Sequence, residues 1–202
     1  MSFQLALIQI YLDTSGLIKH SQFQNPDNPE RKILQELYDL YIRGYISLFT
    51  TQGSFSDIFG DNDEKITSEI SKISAEEREK TRVELTFPLA TDYIESKSDF
   101  DDKDILLFNI LFNESTTVAN IFEKYCCLNV NDKVDFCILR DSVKDANNSS
   151  FFLTQNPRDF IYNGKKEKIE KFAESLGKSF KVRSVTDETL NEIKIEIEQQ
   201  KI

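Results

Sequence analysis

The chain holds no tryptophan, one histidine (His20), three cysteines, four prolines and six glycines in 202 residues. Each scarcity excludes something. So few prolines and glycines argue against a long flexible linker or a low-complexity region. A single histidine rules out a His-rich metal site, and without a Ser or Cys partner suggested by spacing, His20 reads as structural. Cys126, Cys127 and Cys137 are odd in number and lack metal-ligand spacing, and adjacent cysteines rarely bridge each other. They read as reduced thiols packed in the core of a cytoplasmic protein. No segment approaches the ~18–20 apolar residues of a membrane span. Met1 to Gln9 lacks a basic flank and its apolar run stops at Asp13, so no signal peptide is expected. There is no internal repeat.

The chain is rich instead in apolar mass and negative charge. Hydrophobic residues make up 39 %, sixteen of them phenylalanine, which is enough for a sizeable core and against wholesale disorder. The length suits one domain, residues 1–202, carrying an insertion. The net charge of −10 is the wrong sign for a broad nucleic-acid-binding face. A polyanion must be met by a local patch or through bound cations; a basic protein partner also fits.

Hydrophobic periodicity divides the chain into alternating strands and helices. "IQIYL" ends strand one, roughly 7–12, and Thr14 or Ser15 can cap the helix after it. Ile33, Leu34, Leu37, Leu40 and Tyr41 give an amphipathic helix over about 29–43, with Gly44 placed to end it. Residues 45–49 are β-prone, and "TTQGSFSDIFG" suggests a short capped helix. Residues 61–83 are charged and helical in pattern. Asp99, Asp101, Asp102 and Asp104 precede an apolar helix; without EF-hand spacing they are read as acids favoured at a helix N-terminus, not a calcium loop. Helix continues over 117–127 and again through "VNDKVDFCILRDSVKDA". A strand at 151–154, a helix at 165–176, the strand "FKVRSV" and a final helix with Leu190, Ile193 and Ile197 on one face complete the chain. Strands separated by helices require crossovers, hence an α/β fold with a mostly parallel sheet.

In such sheets sites lie beyond the carboxyl ends of the strands. Asp13 ends strand one, Asp57 lies early in the helix after strand two, Asp135 sits in a late helix with Asp132 three residues back on nearly the same face, and Asp159 follows the strand ending at Thr154. Glu36 is a poorer candidate, because its helix needs that face in solvent. Carboxylates packed together repel, raising one another's pKa, unless a cation fills the centre. Hard oxygen ligands suit Mg²⁺ or Mn²⁺.

The stretches "YLDTSGLI", "VDFCILRD" and "FFLTQNPRDF" resemble a PIN domain, a family that includes the VapC-like toxin ribonucleases of toxin–antitoxin pairs. The turn "TQNPRDF" is the most specific of them, and "FKVRSVTDETL" is similar to the family's last strand and helix. The similarity covers about 1–60 and 128–195. The resemblance implies a PIN-like three-layer α/β/α domain, with 61–127 a helical insertion or elaboration. It maps the family's acids onto Asp13, Asp135 and Asp159, which would be both catalytic and metal-binding. The family's second acid is normally a glutamate; here Asp57 stands nearest, one methylene shorter.

The activity so implied is Mg²⁺- or Mn²⁺-dependent hydrolysis of phosphodiester bonds in single-stranded RNA. Thr14, Ser15, Thr154 and Asn156 would orient carboxylates or water, and Arg158 would contact phosphate. Lys165, Lys166, Lys168, Lys171, Lys178, Lys181 and Arg183 outnumber three glutamates over 163–183 and form either a guide for RNA or an ordinary soluble face. A basic antitoxin and a homodimer are partners expected from the resemblance alone. Two other readings stay open: a PIN-like binding module with a decayed site, and a phosphatase using Asp13 as nucleophile. The latter normally wants a second aspartate where Ser15 stands.

Overall fold

The structure is a computed structural model; it describes residues 8–15, 29–51, 92–94, 100–147 and 149–200. His20, Asp57, Asp99 and the helical segment expected over 61–83 lie outside the described residues, as does the short helix expected after strand two.

Five strands form one all-parallel sheet: β1 (Ile8–Leu12), β2 (Ile46–Thr51), β3 (Asp92–Ile94), β4 (Ser150–Thr154) and β5 (Phe180–Ser184). Their spatial order is β3-β2-β1-β4-β5. The α/β expectation holds. The described helices are α1 (Pro29–Ile42), α2 (Asp102–Phe112), α3 (Ile121–Cys127), α4 (Val130–Asp145), α5 (Pro157–Phe160), α6 (Lys165–Ser175) and α7 (Asp187–Gln200).

The central strands are buried on both faces, which is why β1 and β4 read as unbroken apolar runs instead of alternating ones. Ile8, Ile10 and Leu12 of β1 and Phe151 and Leu153 of β4 share a core with Leu34 and Leu37 of α1 and Ile193 and Ile197 of α7. Tyr11 and Phe152 point the other way, into a core with Phe108 of α2, Phe136 of α4, Phe160 of α5 and Ile169 of α6. Helices therefore cover both faces, in three layers. Gln9, the polar member of β1, is buried because its side-chain oxygen accepts from the backbone N of Asn147 (2.6 Å) and from Ser150 Oγ (3.2 Å).

The part of 61–127 that is described is woven into this fold. β3 pairs with β2, and Leu107, Phe108 and Leu111 of α2 lie in the main core. The acids before α2 cap it: Asp101 Oδ1 accepts from the backbone N of Lys103 and Asp104 (2.9 Å each), and Asp104 Oδ2 accepts from Asp101 N (2.8 Å). α1 ends in a left-handed Gly44 (φ 75°), with Gly44 N donating to Tyr41 O and Tyr45 N to Leu40 O. The cysteines differ from expectation. Cys126 and Cys127 are exposed at the end of α3, since the seven-residue helix turns Ile121, not them, inward; Cys137 is half-buried, and all three are free. Among the described residues no helix is long and apolar enough to cross a membrane.

Candidate active site

The strand order reverses between β1 and β4. From β1 the chain builds outward through β2 and β3, then crosses to the other side for β4 and β5. A crevice opens beyond the carboxyl ends of two strands whose connections leave in opposite directions. Asp13 lies there, immediately after β1, and Thr154 is the last residue of β4. Pairing of Leu12 with Leu153 brings the two level, and Asp13 N donates to Leu153 O (3.1 Å).

Asp13 is 3 % exposed, and hydroxyls hold both its carboxylate oxygens. Ser15 Oγ donates to Oδ1 (2.6 Å) and Thr154 Oγ1 to Oδ2 (2.5 Å). Each hydroxyl in turn accepts a backbone N–H, Ser15 from Gln155 (2.7 Å) and Thr154 from Asn156 (2.8 Å). Those amides occupy a lone pair on each hydroxyl and leave its proton for Asp13. A carboxylate has about four acceptor positions, and this clamp takes one on each oxygen. Thr14, 7 % exposed, contributes a buried Oγ1 with no hydrogen-bond partner among the described residues.

The turn after β4 brings the next acid. Pro157 opens α5, where its missing N–H costs nothing. Asn156 Nδ2 donates to Asp159 Oδ2, and Asp159 N to Asn156 O (3.3 Å). The threonine and asparagine of "TQNPRDF" thus each serve one carboxylate, and Gln155 ties the turn to the sheet by donating from Nε2 to Val185 O (3.0 Å).

The first turns of α4 also line the site. Asn129 caps the helix, accepting from Asp132 N (2.9 Å) and donating from Nδ2 to Asp132 Oδ2 (2.6 Å). Asp135 comes one turn later, and its neighbour Phe136 is fully buried against Phe108 (ring centroids 5.5 Å apart). The buried ring anchors the turn that carries the acid.

These walls bound a groove of about 730 Å³. Asp13, Thr14, Ser15, Asn156, Arg158 and Asp159, from the segments after β1 and β4, line it together with Asn129, Asn131, Asp132 and Asp135 from the start of α4. Four carboxylates face one guanidinium. Of the site residues expected from sequence, Asp13, Asp135, Asp159, Thr14, Ser15, Asn156 and Arg158 line this groove, and Thr154 lies directly behind it through its bond to Asp13. Asp57 falls outside the described residues. Glu36 is remote, ion-paired on the surface with Lys194 (2.5 Å).

No family model matches the chain, and no curated protein or solved structure matches it.

The geometry qualifies the metal expectation. Asp13, Asp135 and Asp159 share the groove, but among the described residues no three acids, histidines or cysteines converge closely enough to hold one ion. The donor chemistry still suits a hard cation: the described residues of the groove present carboxylate, hydroxyl and amide oxygens. Mg²⁺ usually takes one or two carboxylates directly and keeps several waters.

The basic strip is largely consumed by the fold. Lys178 Nζ donates to the carbonyl oxygens of Val143 (2.8 Å) and Lys144, closing the end of α4, and burial pushes its ammonium below its ordinary pKa. Lys181 pairs with Glu192 (3.1 Å) and Glu196; Arg183 pairs with Glu170 (2.6 Å) and Glu192 (2.8 Å). Lys165, Lys166, Lys168 and Lys171 of α6 stay outside these contacts.

Sequence reasoning passed over Asn129, Asn131 and Gln155. An asparagine just before a helical run is a favoured cap and was the signal available for Asn129; nothing local marks Asn131 or Gln155.

Proposed function

We propose that the chain is a divalent-metal-dependent endoribonuclease of the PIN type, acting on single-stranded RNA. One observation carries this reading: acids from three separate segments, Asp13 after β1, Asp135 in α4 and Asp159 in α5, line a single groove at the reversal of strand order. Gathering them costs free energy unless a cation or a substrate-bound cation balances them. Asp13, Asp135 and Asp159 would hold Mg²⁺ or Mn²⁺, partly through water, with Asp57 direct or water-bridged. When bound, the ion supplies Lewis-acid polarisation of the phosphate and a more acidic water.

The chain's own residues do the positioning. Ser15 and Thr154 fix the rotation of Asp13, and Asn156 fixes Asp159. Arg158, an exposed guanidinium on the groove, binds a phosphate oxygen. No side-chain nucleophile is required, in keeping with a groove whose described lining residues include no cysteine or histidine. The three free thiols support a reducing, cytoplasmic location. The net charge of −10 suits a basic antitoxin as partner, and a homodimer is part of the same reading.

The deciding experiment is incubation with an unstructured RNA and Mn²⁺. Cleavage that disappears on chelation and in Asp13→Asn supports the enzyme. A second reading, a PIN-fold binding module with an incomplete site, is favoured by the lack of a three-acid metal group among the described residues. It predicts RNA or protein binding without cleavage, unchanged by Mn²⁺.

A further inference from the structure

β5 is the outermost strand on its side of the described sheet, and an outermost strand offers backbone donors and acceptors to any other chain. Its inner side is taken. Ser150 N donates to Ser179 O (2.8 Å), and β4 pairs along the whole of Phe180–Ser184. Val182, at the middle of the strand, turns its N–H and C=O away from β4, and neither is open. Val182 N donates to Glu170 Oε1 of α6 (2.9 Å), and Val182 O accepts from Arg183 Nη1 (2.9 Å). The same Nη1 donates to the same Oε1 (2.6 Å), which closes the ring. A carboxylate and a guanidinium thus stand where the carbonyl and amide of a further strand would stand.

The guanidinium is held from both layers. α6 shares a core with Phe180 and Val182 on one face of the sheet, and α7 shares the other core with Phe151 and Leu153. Arg183 Nε and Nη2 donate to Glu192 Oε2 (2.8 Å) and Oε1 (3.1 Å) of α7, while Nη1 reaches round the strand to Glu170 of α6. All three nitrogens are committed, and the side chain is 20 % exposed. The contact is therefore a fixed, partly buried network and not a loose surface pair that water screens.

We propose that Glu170 and Arg183 form a clasp that bars strand addition at β5, and that the strand it excludes is β5 of a second copy. The edge is self-complementary. Antiparallel pairing about a two-fold axis at Val182 lets the two valines exchange both N–H···O=C bonds. Lys181 of each copy then faces Arg183 of the other, and glutamates of α7 already balance both charges. In a strand of five residues the middle pair is the one a ladder cannot lose, because only its two ends remain. The inference does not depend on what the groove binds.

The test compares the wild-type chain, Glu170→Ala and Glu170→Gln by light scattering over a concentration series and by amide hydrogen exchange at Val182. Alanine removes the acceptor that Val182 N and Arg183 share; glutamine keeps an oxygen there. In dilute Glu170→Ala the Val182 amide is expected to exchange about tenfold faster than in wild type, the scale of one charge-assisted hydrogen bond. As concentration rises the mass should double relative to wild type, and the amide should regain protection. Glu170→Gln should keep the wild-type mass throughout. Should circular dichroism show Glu170→Ala unfolded, Arg183→Leu, which leaves Val182 O bare, is read by mass in the same way. A mass equal to that of wild type at every concentration overturns the inference. So does association that leaves the Val182 amide exchanging freely, since another surface is then responsible. Fast exchange at Val182 in the wild-type chain overturns the clasp itself.

Discussion

Thr154 and Asp13 are 141 positions apart in the chain, yet the hydroxyl of one donates to the carboxylate of the other over 2.5 Å. The threonine is fully buried and the aspartate nearly so. Parallel pairing of β1 with β4 sets the two side by side, so the register of the sheet and the orientation of the groove's first acid are one property.

Thr154→Val tests that dependence. The substitution keeps the shape and removes the hydroxyl, taking a donor from Asp13 Oδ2 and an acceptor from the backbone N of Asn156. Two polar groups deprived of a partner in this way cost on the order of 2–4 kcal/mol. Urea unfolding should show the loss in midpoint with unchanged slope.

Thr14→Val should go the other way. The Thr14 hydroxyl is buried without a partner among the described residues, so the wild-type chain already bears its desolvation. Replacing it with a methyl group should raise stability by about 1 kcal/mol, read as a higher melting temperature.

Phe136→Ala should be among the most damaging changes in the second half of the chain. The ring is fully buried and packs against Phe108, Phe100, Phe112 and Tyr125. Truncation should cost about 3–5 kcal/mol. Because Asp135 is its neighbour, cleavage by the surviving folded fraction should fall as well, measured under conditions where circular dichroism shows that fraction to be folded.

A pH dependence arises from Glu192. The hydrogen bond from Arg183, outweighing burial, holds its carboxyl below the usual glutamate value. A depressed folded pKa means that the bridge stabilises above the unfolded value of about 4.3 and loses this as pH falls through the folded one. Glu192→Gln should therefore be less stable than wild type at neutral pH, and the two denaturation midpoints should converge in acid. A gap that persists at low pH would assign the effect to packing instead.

Arg158→Ala should raise KM for RNA and flatten its salt dependence while leaving kcat nearly unchanged, as expected for a group that binds phosphate in ground and transition states alike. A fall in kcat alone would move Arg158 into the chemical step.

Much of this was legible along the chain because it is local. The apolar runs of β1 and β4 announce strands buried on both faces, Gly44 ends α1 where the periodicity stops, and Leu190, Ile193 and Ile197 of α7 face inward as their spacing requires. The acids Asp13, Asp135 and Asp159 were found through strand ends and the "TQNPRDF" turn. The remainder depends on distant partners. β3 is three residues long and carries no alternation to detect. Lys181 and Arg183 look like a nucleic-acid strip until α6 and α7 fold over β5 and supply Glu170, Glu192 and Glu196. Cys126 and Cys127 look like core residues, but one short helix faces both outward. Asn131 has no signature beyond its place on the groove wall.

The order β3-β2-β1-β4-β5 has a consequence during synthesis. β1 leaves the ribosome before the other four strands, and β2 can dock on one of its edges soon after. The other edge, destined for β4, stays bare until well over a hundred further residues have been translated. Non-local pairing of this kind is slow, and an unpaired apolar strand invites adhesion to other chains. The nascent polypeptide is thus most vulnerable between the synthesis of β1 and that of β4, and a chaperone that shields Ile8–Leu12 in that interval should improve the yield of native protein more than one acting after release.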